Sequence, residues 1–328
     1  MTSRRSVLKA GIALAAAIAG TGLAARVRAN AAEERHPPLG DFVEVGGAAV
    51  HYLQRGEGPD VVLVHGAGGN LRDFAFGFLD QVAALGFRVT AFDRPGLGYS
   101  DRLPGYGPLS LDAEGPVEQG QHLRAAADAL GLDRPLLVGH SFGGIVSLGW
   151  AIADLGASSP ASARAYVSLA GIALPWPGDL GLYYRLNGGP LGTLTTPVLS
   201  AFVPGGVVRD RIDGTFAPQP APEGYAEFIG ARLTLRPATF RANVRQVNTL
   251  RPRVVAMERR YPELTIPIEL VHGTADRTVP IDVHSRPLSR RLEGAALTAL
   301  PGVGHMPHHV RAEACLEAIR RAHSRAGG

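Results

Sequence analysis

The sequence predicts an α/β fold built on a mostly parallel, doubly wound sheet. Short runs of four or five β-branched and aliphatic residues recur along the chain, and such runs are typical of strands buried on both faces. Between the runs lie segments with apolar residues at intervals of three and four, which is the pattern of amphipathic helices. Of the 328 residues, 45% are apolar, which is enough for a sizeable core.

The strands and helices are predicted in a regular order from residue 41 onward. A hairpin comes first, with strands at 41–45 and 48–54 around Gly46 and Gly47, because a glycine pair favours a tight hairpin turn. Further strands are predicted at 61–64, 88–92, 136–138, 166–169, 268–271 and 297–300. Helices are predicted at 71–85, 117–130, 144–155 and 312–323. This alternation of strands and helices is typical of a doubly wound sheet.

The alternation stops for about 90 residues in the middle of the chain. Residues 171–263 are rich in Pro and Gly at first and show helical spacing later, at 225–235 and 238–260. We predict that this stretch is a cap inserted into the sheet domain, whose two parts are residues 41–170 and 264–325. Loops at the carboxyl ends of parallel strands bind ligands, so the cap is expected to cover the substrate site.

The N-terminal segment, residues 1–31, has the composition of an export signal. Residues 10–25 carry no charge, small residues follow, and the segment contains no acidic residue. Its basic residues are Arg4, Arg5, Lys9, Arg26 and Arg28. The arginine pair resembles a twin-arginine signal, so we expect the bacterial twin-arginine export machinery as a partner and a periplasmic or extracellular location. Cleavage is expected after Ala29 or Ala31 and would leave no stable membrane span; an uncleaved membrane anchor is the alternative.

The remaining charge excludes a nucleic-acid role. The whole chain carries a formal charge of +4, but without the five N-terminal basic residues it has 28 basic and 29 acidic ones. A nearly neutral body gives no electrostatic footprint for a polyanion. The single cysteine, Cys315, excludes an intramolecular disulfide and a cysteine-based zinc cluster.

Ser141 is the candidate nucleophile. It follows the predicted strand 136–138 in the run Gly-His-Ser-Phe-Gly-Gly and precedes an apolar helix. A serine flanked by glycines two residues away on each side is the nucleophile-elbow pattern, in which the serine adopts a positive φ and side chains at the flanking positions would collide. The following helix directs its N-terminus at the serine and favours a developing oxyanion there.

Two further strand ends supply an acid and a base in the matching order. Asp276 follows the predicted strand at 268–271, and His305 follows the one at 297–300. The order Ser, Asp, His, each on a loop at a strand's carboxyl end, is that of an α/β-hydrolase catalytic triad.

An oxyanion hole is predicted from two backbone N–H groups, those of Ala67 and Phe142. Ala67 lies in a glycine-rich loop after the strand 61–64.

The chain therefore resembles the α/β-hydrolase superfamily, in its capped, cofactor-independent branch, over roughly residues 41–323. The motifs that carry the resemblance are His65-Gly66, the run from Asp93 to Ser100, the serine elbow and the two loops with Asp276 and His305. The resemblance implies an eight-stranded sheet with an antiparallel second strand, and hydrolysis through an acyl-enzyme. Epoxide hydrolases and haloalkane dehalogenases of this superfamily use a carboxylate where this chain has Ser141, so both activities are disfavoured.

We expect a serine hydrolase that cleaves small to medium, apolar carboxylic esters. The alternatives are hydrolysis of a C–C bond in a diketone-like substrate by the same triad, and a ligand-binding protein that only resembles a hydrolase. Further candidates for the substrate pocket are His65, His140, Trp176 and Tyr183, although loop hydrogen bonding or packing would equally explain them. His308 and His309 are interpreted as helix-start residues rather than metal ligands, so neither a metal nor a cofactor is expected.

Overall fold

A mostly parallel sheet of eight strands forms the centre of the computed structural model, which describes residues 4–107, 110–157 and 159–327. The strands are β1 (Asp41–Val45), β2 (Ala48–Arg55), β3 (Asp60–Val64), β4 (Arg88–Phe92), β5 (Leu136–His140), β6 (Ala165–Leu169), β7 (Ile268–Gly273) and β8 (Ala295–Leu300). Their order in the sheet is β1-β2-β4-β3-β5-β6-β7-β8. The predicted fold class is confirmed.

The pairing of the strands places the candidate site at one edge of the sheet. Strand β2 pairs antiparallel with both β1 and β4, and every other neighbouring pair is parallel. The carboxyl ends of β3 to β8 therefore lie at the same edge. Ser141, Asp276 and His305 all follow strands of this parallel part, so the topology gathers them.

Helices cover both faces of the sheet. On one face lie α4 (Pro116–Ala129), α5 (Phe142–Asp154) and α12 (Ser285–Arg291), and on the other lie α2 (Arg72–Ala75), α3 (Phe78–Ala83) and α14 (Ala312–Arg325). Each face has its own apolar core, with Leu123 and Trp150 in the first and Phe78 and Ile319 in the second. The continuous apolar runs of the sequence follow from this, because the central strands are buried on both sides.

One predicted helix is divided in two. The segment 71–85 forms the short helices α2 and α3 rather than one continuous helix. Gly77 lies between them with φ 105°, a left-handed conformation that glycine adopts at no steric cost and that a helix interior does not contain. The apolar spacing continues across this turn, which explains why the sequence pattern suggests one helix.

The segment between β6 and β7 is helical over most of its length. It contains α6 (Leu182–Gly188), α7 (Gly192–Phe202), α8 (Gly205–Phe216), α9 (Tyr225–Phe228), α10 (Pro237–Asn248) and α11 (Leu250–Glu258), with short 3-10 helices at Ala231–Leu233 and Tyr261–Glu263. Its first half, which is rich in Pro and Gly, forms three helices, and Pro197 lies inside α7. Packing of α7 against α6 and α10 stabilises this helix despite its low propensity. That the segment is a separate cap remains a prediction.

The chain begins with a long helix, α1 (Arg4–Arg35), and a short helix, α13 (Pro307–Val310), follows β8. Residues Gly11–Arg35 of α1 are long and apolar enough to cross a membrane, a property shared by signal sequences and by membrane anchors. The predicted signal segment includes residues 1–3, which lie outside the described residues. Its export and cleavage remain predictions.

Candidate active site

Ser141 lies on a strained turn between β5 and α5. Its φ of 53° and ψ of −119° belong to the region that side chains other than glycine rarely adopt. The flanking glycines are required sterically, because a Cβ on Gly139 would collide with the backbone of Gly143, and one on Gly143 would collide with the carbonyl of Val64. The sequence therefore folds into the predicted elbow because nothing larger than glycine fits around it.

The three predicted triad residues form a continuous series of hydrogen bonds. His305 Nε2 lies 2.9 Å from Ser141 Oγ, and His305 Nδ1 lies 2.7 Å from Asp276 Oδ2. A carboxylate only accepts hydrogen bonds, so Nδ1 of His305 donates and Nε2 is left to accept the serine proton. All three residues are buried. This is the geometry of a serine, its general base and the acid that orients the base.

Asp276 is held as a carboxylate by its surroundings. Burial alone would raise its pKa, but hydrogen bonds from His272 and His305 and from the backbone N–H of Val279 hold the pKa well below its usual range. Thr278 donates a second backbone N–H, at 2.8 Å. His272 Nε2 lies 3.2 Å from Asp276 Oδ2 and 2.7 Å from the carbonyl of Val279, so this second histidine contacts both the acid and its loop. Sequence reasoning did not assign His272 this contact.

The glycine-rich loop after β3 passes directly beside Ser141. A Cβ on Gly66 would lie 3.0 Å from the Cβ of Ser141, so Ala67 is in the region where the oxyanion hole is predicted. The N–H of Gly68 donates to Asn243 Oδ1 at 2.7 Å, and the carbonyl of Gly68 accepts from Thr234 Oγ1 at 2.7 Å. Asn243 and Thr234 both belong to the segment between β6 and β7, so this segment holds the loop through two hydrogen bonds.

The N–H of Phe142 is the first N–H of α5 and directly follows Ser141 in the chain. The first N–H groups of a helix have no intrahelical acceptor, and they carry the positive end of the helix dipole. The roles of Phe142 and Ala67 as oxyanion donors remain predictions that this arrangement permits.

His65, a candidate pocket residue, is engaged in bonds within the loops. Its Nδ1 lies 2.9 Å from the carbonyl of Gly66, and its Nε2 accepts the backbone N–H of Arg94 at 3.0 Å. Burial and the Arg94 charge lower the pKa of His65 to about 4, so it is neutral at pH 7. The Arg94 guanidinium in turn donates to the carbonyls of His65 and Gly66 and lies 4.2 Å from the ring centre of Phe142. Arg94 thus connects the loop to the start of α5.

His140, the second candidate pocket residue, contacts the backbone of His305. Its Nε2 lies 3.0 Å from the backbone carbonyl of His305, and because a carbonyl only accepts, this nitrogen carries the proton. Its Nδ1 lies 3.7 Å from Asp73 Oδ2. Burial together with the neighbouring His308 and His305 holds the pKa of His140 well below its usual range. His140 is therefore a neutral donor at pH 7.

Asp73 is the centre of a buried polar cluster next to His140. Its Oδ1 accepts from Tyr225 at 2.7 Å and from His309 at 2.8 Å, and His308 Nε2 lies 3.3 Å from both oxygens. Asp73, His140 and His308 each place one potential ligand atom within 4.8 Å of the others, so by distance they could hold a metal ion. Hydrogen bonds inside the protein already engage the carboxylate, which also accounts for the cluster. No motif or spacing in the sequence indicates that Asp73 joins these histidines.

Trp176 and Tyr183, the remaining pocket candidates, lie on the inserted segment in different surroundings. The Trp176 ring is half-buried beside His284, with ring centres 6.5 Å apart. The Tyr183 ring is 41% exposed and packs on Tyr184 and Phe240. Their contact with a substrate remains a prediction.

A serine on a strained strand-to-helix turn, bonded to a histidine and an acid from later strand ends, is the arrangement of α/β hydrolases. A family model described as the alpha/beta hydrolase family matches residues 61–318. The chain belongs to that family.

Individual relatives differ in their named activities. An uncharacterized protein of Mycobacterium tuberculosis is 26% identical over 281 residues, which make up 83% of this chain and 77% of that protein. A 2-hydroxy-6-oxo-2,4-heptadienoate hydrolase of Pseudomonas putida is 38% identical over 117 residues, or 35% of this chain and 40% of that protein. The structure of a thermophilic esterase from Thermogutta terrifontis is similar with a TM-score of 0.68 at 18% identity, covering 88% of this chain and 100% of that one.

Proposed function

We propose that this hydrolase cleaves small to medium, apolar carboxylic esters through an acyl-enzyme on Ser141. The observation that carries the proposal is the hydrogen-bond series from Ser141 Oγ through His305 to Asp276. A buried serine hydroxyl that donates to the free ring nitrogen of an oriented imidazole is an activated nucleophile. The Leu, Phe and Pro content of the inserted segment supports an apolar substrate.

In the first half of the reaction, Ser141 Oγ attacks the ester carbonyl carbon while His305 Nε2 takes the hydroxyl proton. The carbonyl oxygen becomes an oxyanion, which the N–H groups of Ala67 and Phe142 stabilise. Asp276 keeps Nδ1 of His305 protonated and stabilises the imidazolium. Collapse of the tetrahedral intermediate breaks the ester C–O bond, and His305 gives its proton to the leaving alcohol.

In the second half, His305 removes a proton from water, which attacks the acyl carbon. A second oxyanion forms in the same place, and its collapse releases the acid and returns the proton to Ser141. No step needs a metal or a cofactor. We therefore expect full ester hydrolysis after exhaustive dialysis against EDTA.

Hydrolysis of a C–C bond by the same residues is the second candidate. It is favoured by the relative from Pseudomonas putida, which is named as a hydrolase of a 2-hydroxy-6-oxo-dienoate. The two reactions share Ser141 and His305 and differ in the leaving group, which is a carbanion equivalent in the C–C case. A ligand-binding protein without turnover is the third candidate, but it would have no need for a hydrogen-bonded triad.

We propose further that the enzyme is exported by the twin-arginine route and acts outside the cytoplasm. The support is the arginine pair and the apolar stretch that follows it in α1.

A substrate panel tests the proposed chemistry. We would measure kcat/KM for p-nitrophenyl esters of graded acyl length, for matching amides and for a 2-hydroxy-6-oxo-dienoate, with wild type and with Ser141→Ala. Turnover of esters that exceeds that of the dienoate and is lost in Ser141→Ala supports the proposal. Preferred turnover of the dienoate would establish the second candidate, and binding without turnover of any of them would establish the third.

A further inference from the structure

Helix α7 is amphipathic in the reverse sense to a helix of a soluble protein. Its side toward the protein contains Thr196, Ser200 and Ala201, which are buried. Within the described part of the chain, the hydroxyl oxygens of Thr196 and Ser200 have no hydrogen-bond partner. Its opposite side exposes Leu194, Val198 and Phe202, together with Thr193 at the start of the helix. A helix in water buries its apolar stripe and exposes its polar one.

Helix α6 packs against α7 and also exposes apolar residues, so the exposed apolar residues of both helices are considered together as the apolar face. The face consists of Leu182 and Leu186 near α6 and of Leu191, Leu194, Val198 and Phe202 near α7. Leu182 is 68% exposed and Leu194 is 63% exposed, although leucine is ordinarily a core residue. The spacing of 191, 194, 198 and 202 places the latter four on one stripe of the helix. A contiguous exposed apolar surface of this kind indicates a binding surface.

Helix α1 packs directly against α7. Ala25 and Ala32 of α1 are buried, and Ala29, which lies between them along the same side of the helix, borders a small pocket together with Ser200 of α7. Small residues on both partners allow the two helix backbones to approach closely. This composition, with Ala and Ser inside and Leu, Val and Phe outside, is the one that helix pairs adopt in lipid.

The charges of α1 set the level of a bilayer relative to this face. Residues 10–25 carry no charge and, as a helix, span about 24 Å. The hydrocarbon core of a bilayer is roughly 30 Å thick, and the basic side chains at either end of the stretch can reach past its edges to the lipid headgroups. Arg28 lies just beyond the uncharged stretch, and its guanidinium donates to the carbonyl of Val203 at 3.3 Å. Val203 is the neighbour of Phe202, so the end of the apolar face lies next to the point where α1 would leave the hydrocarbon core of the bilayer.

The end of α1 is fixed to the body of the enzyme by polar contacts as well. Glu33 pairs with Arg236 at 2.8 Å, and the hydroxyl of Tyr99 donates to the carbonyl of His36 at 2.5 Å. Cleavage after Ala29 or Ala31 would remove Ala25, Arg28 and Ala29, which are buried or lie beside the end of α7.

We propose that α1 is retained after export as a membrane anchor, and that the apolar face lies on the surface of the same phospholipid bilayer. The basic residues at 4, 5 and 9 remain on the cytoplasmic side, as export by the proposed twin-arginine route requires, and the enzyme lies on the other side. If the proposed function holds, this position places the active site of the enzyme next to esters dissolved in that bilayer.

The first measurement is the intact mass of the exported full-length product in the membrane fraction. We expect a mass that includes α1, in membranes that resist extraction with carbonate. A chain that begins at Asn30 or Ala32 in the soluble fraction would overturn the proposal.

The second measurement tests the apolar face without using activity. We would place a pyrene-labelled cysteine in the full-length chain by Leu194→Cys or Phe202→Cys, with Val255→Cys as the control because it is an exposed apolar residue on α11. The native Cys315 is buried, which raises its pKa and keeps it unlabelled. In vesicles of phosphatidylethanolamine and phosphatidylglycerol that contain nitroxide-labelled lipids, pyrene at 194 and 202 should be quenched several-fold more than pyrene at 255.

Two results of this measurement would contradict the proposal. Equal quenching at all three positions would show that the face does not lie on the bilayer. Pyrene excimer emission at 194 or 202 that does not depend on lipid would show that a second copy of the chain covers the face instead.

A double substitution tests the consequence for substrates. In Leu194→Asp with Phe202→Asp, hydrolysis of an apolar ester in vesicles should fall about tenfold, whereas hydrolysis of a short soluble ester should stay at the wild-type rate. Equal rates on the vesicle ester would refute the presentation of substrate by the face. Absence of ester hydrolysis in wild type would refute the proposed function alone, because the quenching still decides the position of the face.

Discussion

The imidazole Nε2 of His140 lies 3.0 Å from the backbone carbonyl oxygen of His305. His140 is the last residue of β5 and directly precedes Ser141, so one short stretch of chain fixes the nucleophile and also the main chain of its base. The position of His305 relative to Ser141 therefore depends on the His140 side chain. This side chain forms no hydrogen bond with the Ser141 hydroxyl or with the imidazole nitrogens of His305. We therefore propose that His140 acts as a positioning residue for His305.

Removal of the His140 imidazole should slow the reaction without weakening substrate binding. In His140→Ala we expect kcat to fall about tenfold with KM nearly unchanged, which corresponds to the loss of one hydrogen bond of ordinary strength. His140→Gln should recover most of the rate, because its amide N–H can donate to the same carbonyl. The control is His122→Ala on α4, outside these contacts. Equal loss in the Ala and Gln variants would contradict a positioning role.

Substitution of the acid should disable the base while leaving the fold intact. In Asp276→Asn the amide no longer accepts the His305 Nδ1 proton as a carboxylate does, so the wrong tautomer of the imidazole faces Ser141. We expect kcat to fall by roughly 10³–10⁴. The control is Asp282→Asn, whose carboxylate is exposed and pairs with Arg286. Ester hydrolysis at the wild-type rate in Asp276→Asn would show that another residue orients His305.

The same carboxylate gives a pH dependence of stability with a defined sign. Because the pKa of Asp276 is lower in the folded chain than in the unfolded one, its contribution to stability is complete above the unfolded pKa of about 3.9 and is lost as the pH falls toward the folded value. We would measure the free energy of unfolding in urea for wild type and Asp276→Asn from pH 7 to the acid limit of folding. The difference should be constant above about pH 5 and should shrink below pH 4. A difference that grows in acid would reverse the assigned sign.

The loop beside Ser141 should depend on its contact with the inserted segment. Asn243→Ala removes the acceptor of the Gly68 N–H and loosens the loop that carries Ala67. We expect kcat for esters to fall about tenfold, with a smaller effect on the melting temperature, since one hydrogen bond is lost. Asn248→Ala, at the other end of α10, is the control and should leave kcat unchanged. An unchanged kcat in Asn243→Ala would indicate that Thr234 alone holds the loop.

The sheet and the triad could be predicted because local chemistry determines them. Continuous apolar runs determine the strands, and the Gly-His-Ser-Phe-Gly-Gly run determines the turn at Ser141, where the collisions at Gly139 and Gly143 permit no other residue. Asp276 and His305 follow from their places directly after strands whose carboxyl ends share one edge.

The contacts that support the site could not be predicted, because they join distant parts of the chain. Asp73 meets His309 across 236 residues, and Asn243 meets Gly68 across 175. Neither pair has a spacing that a sequence pattern could reveal. Helix α7 was missed for a different reason, since Gly192 and Pro197 lower its helical propensity and its stability comes from packing against neighbouring helices.

Detection of the covalent intermediate at Ser141 is the most direct test of the proposed mechanism. We would mix the enzyme with a p-nitrophenyl ester, quench in acid within the first turnover, and locate the acyl group by mass spectrometry of peptides. We expect one acyl group per chain on Ser141, formed together with a burst of p-nitrophenol, and none in Ser141→Ala. Ester hydrolysis that persists in Ser141→Ala, or an acyl group on another residue, would contradict it.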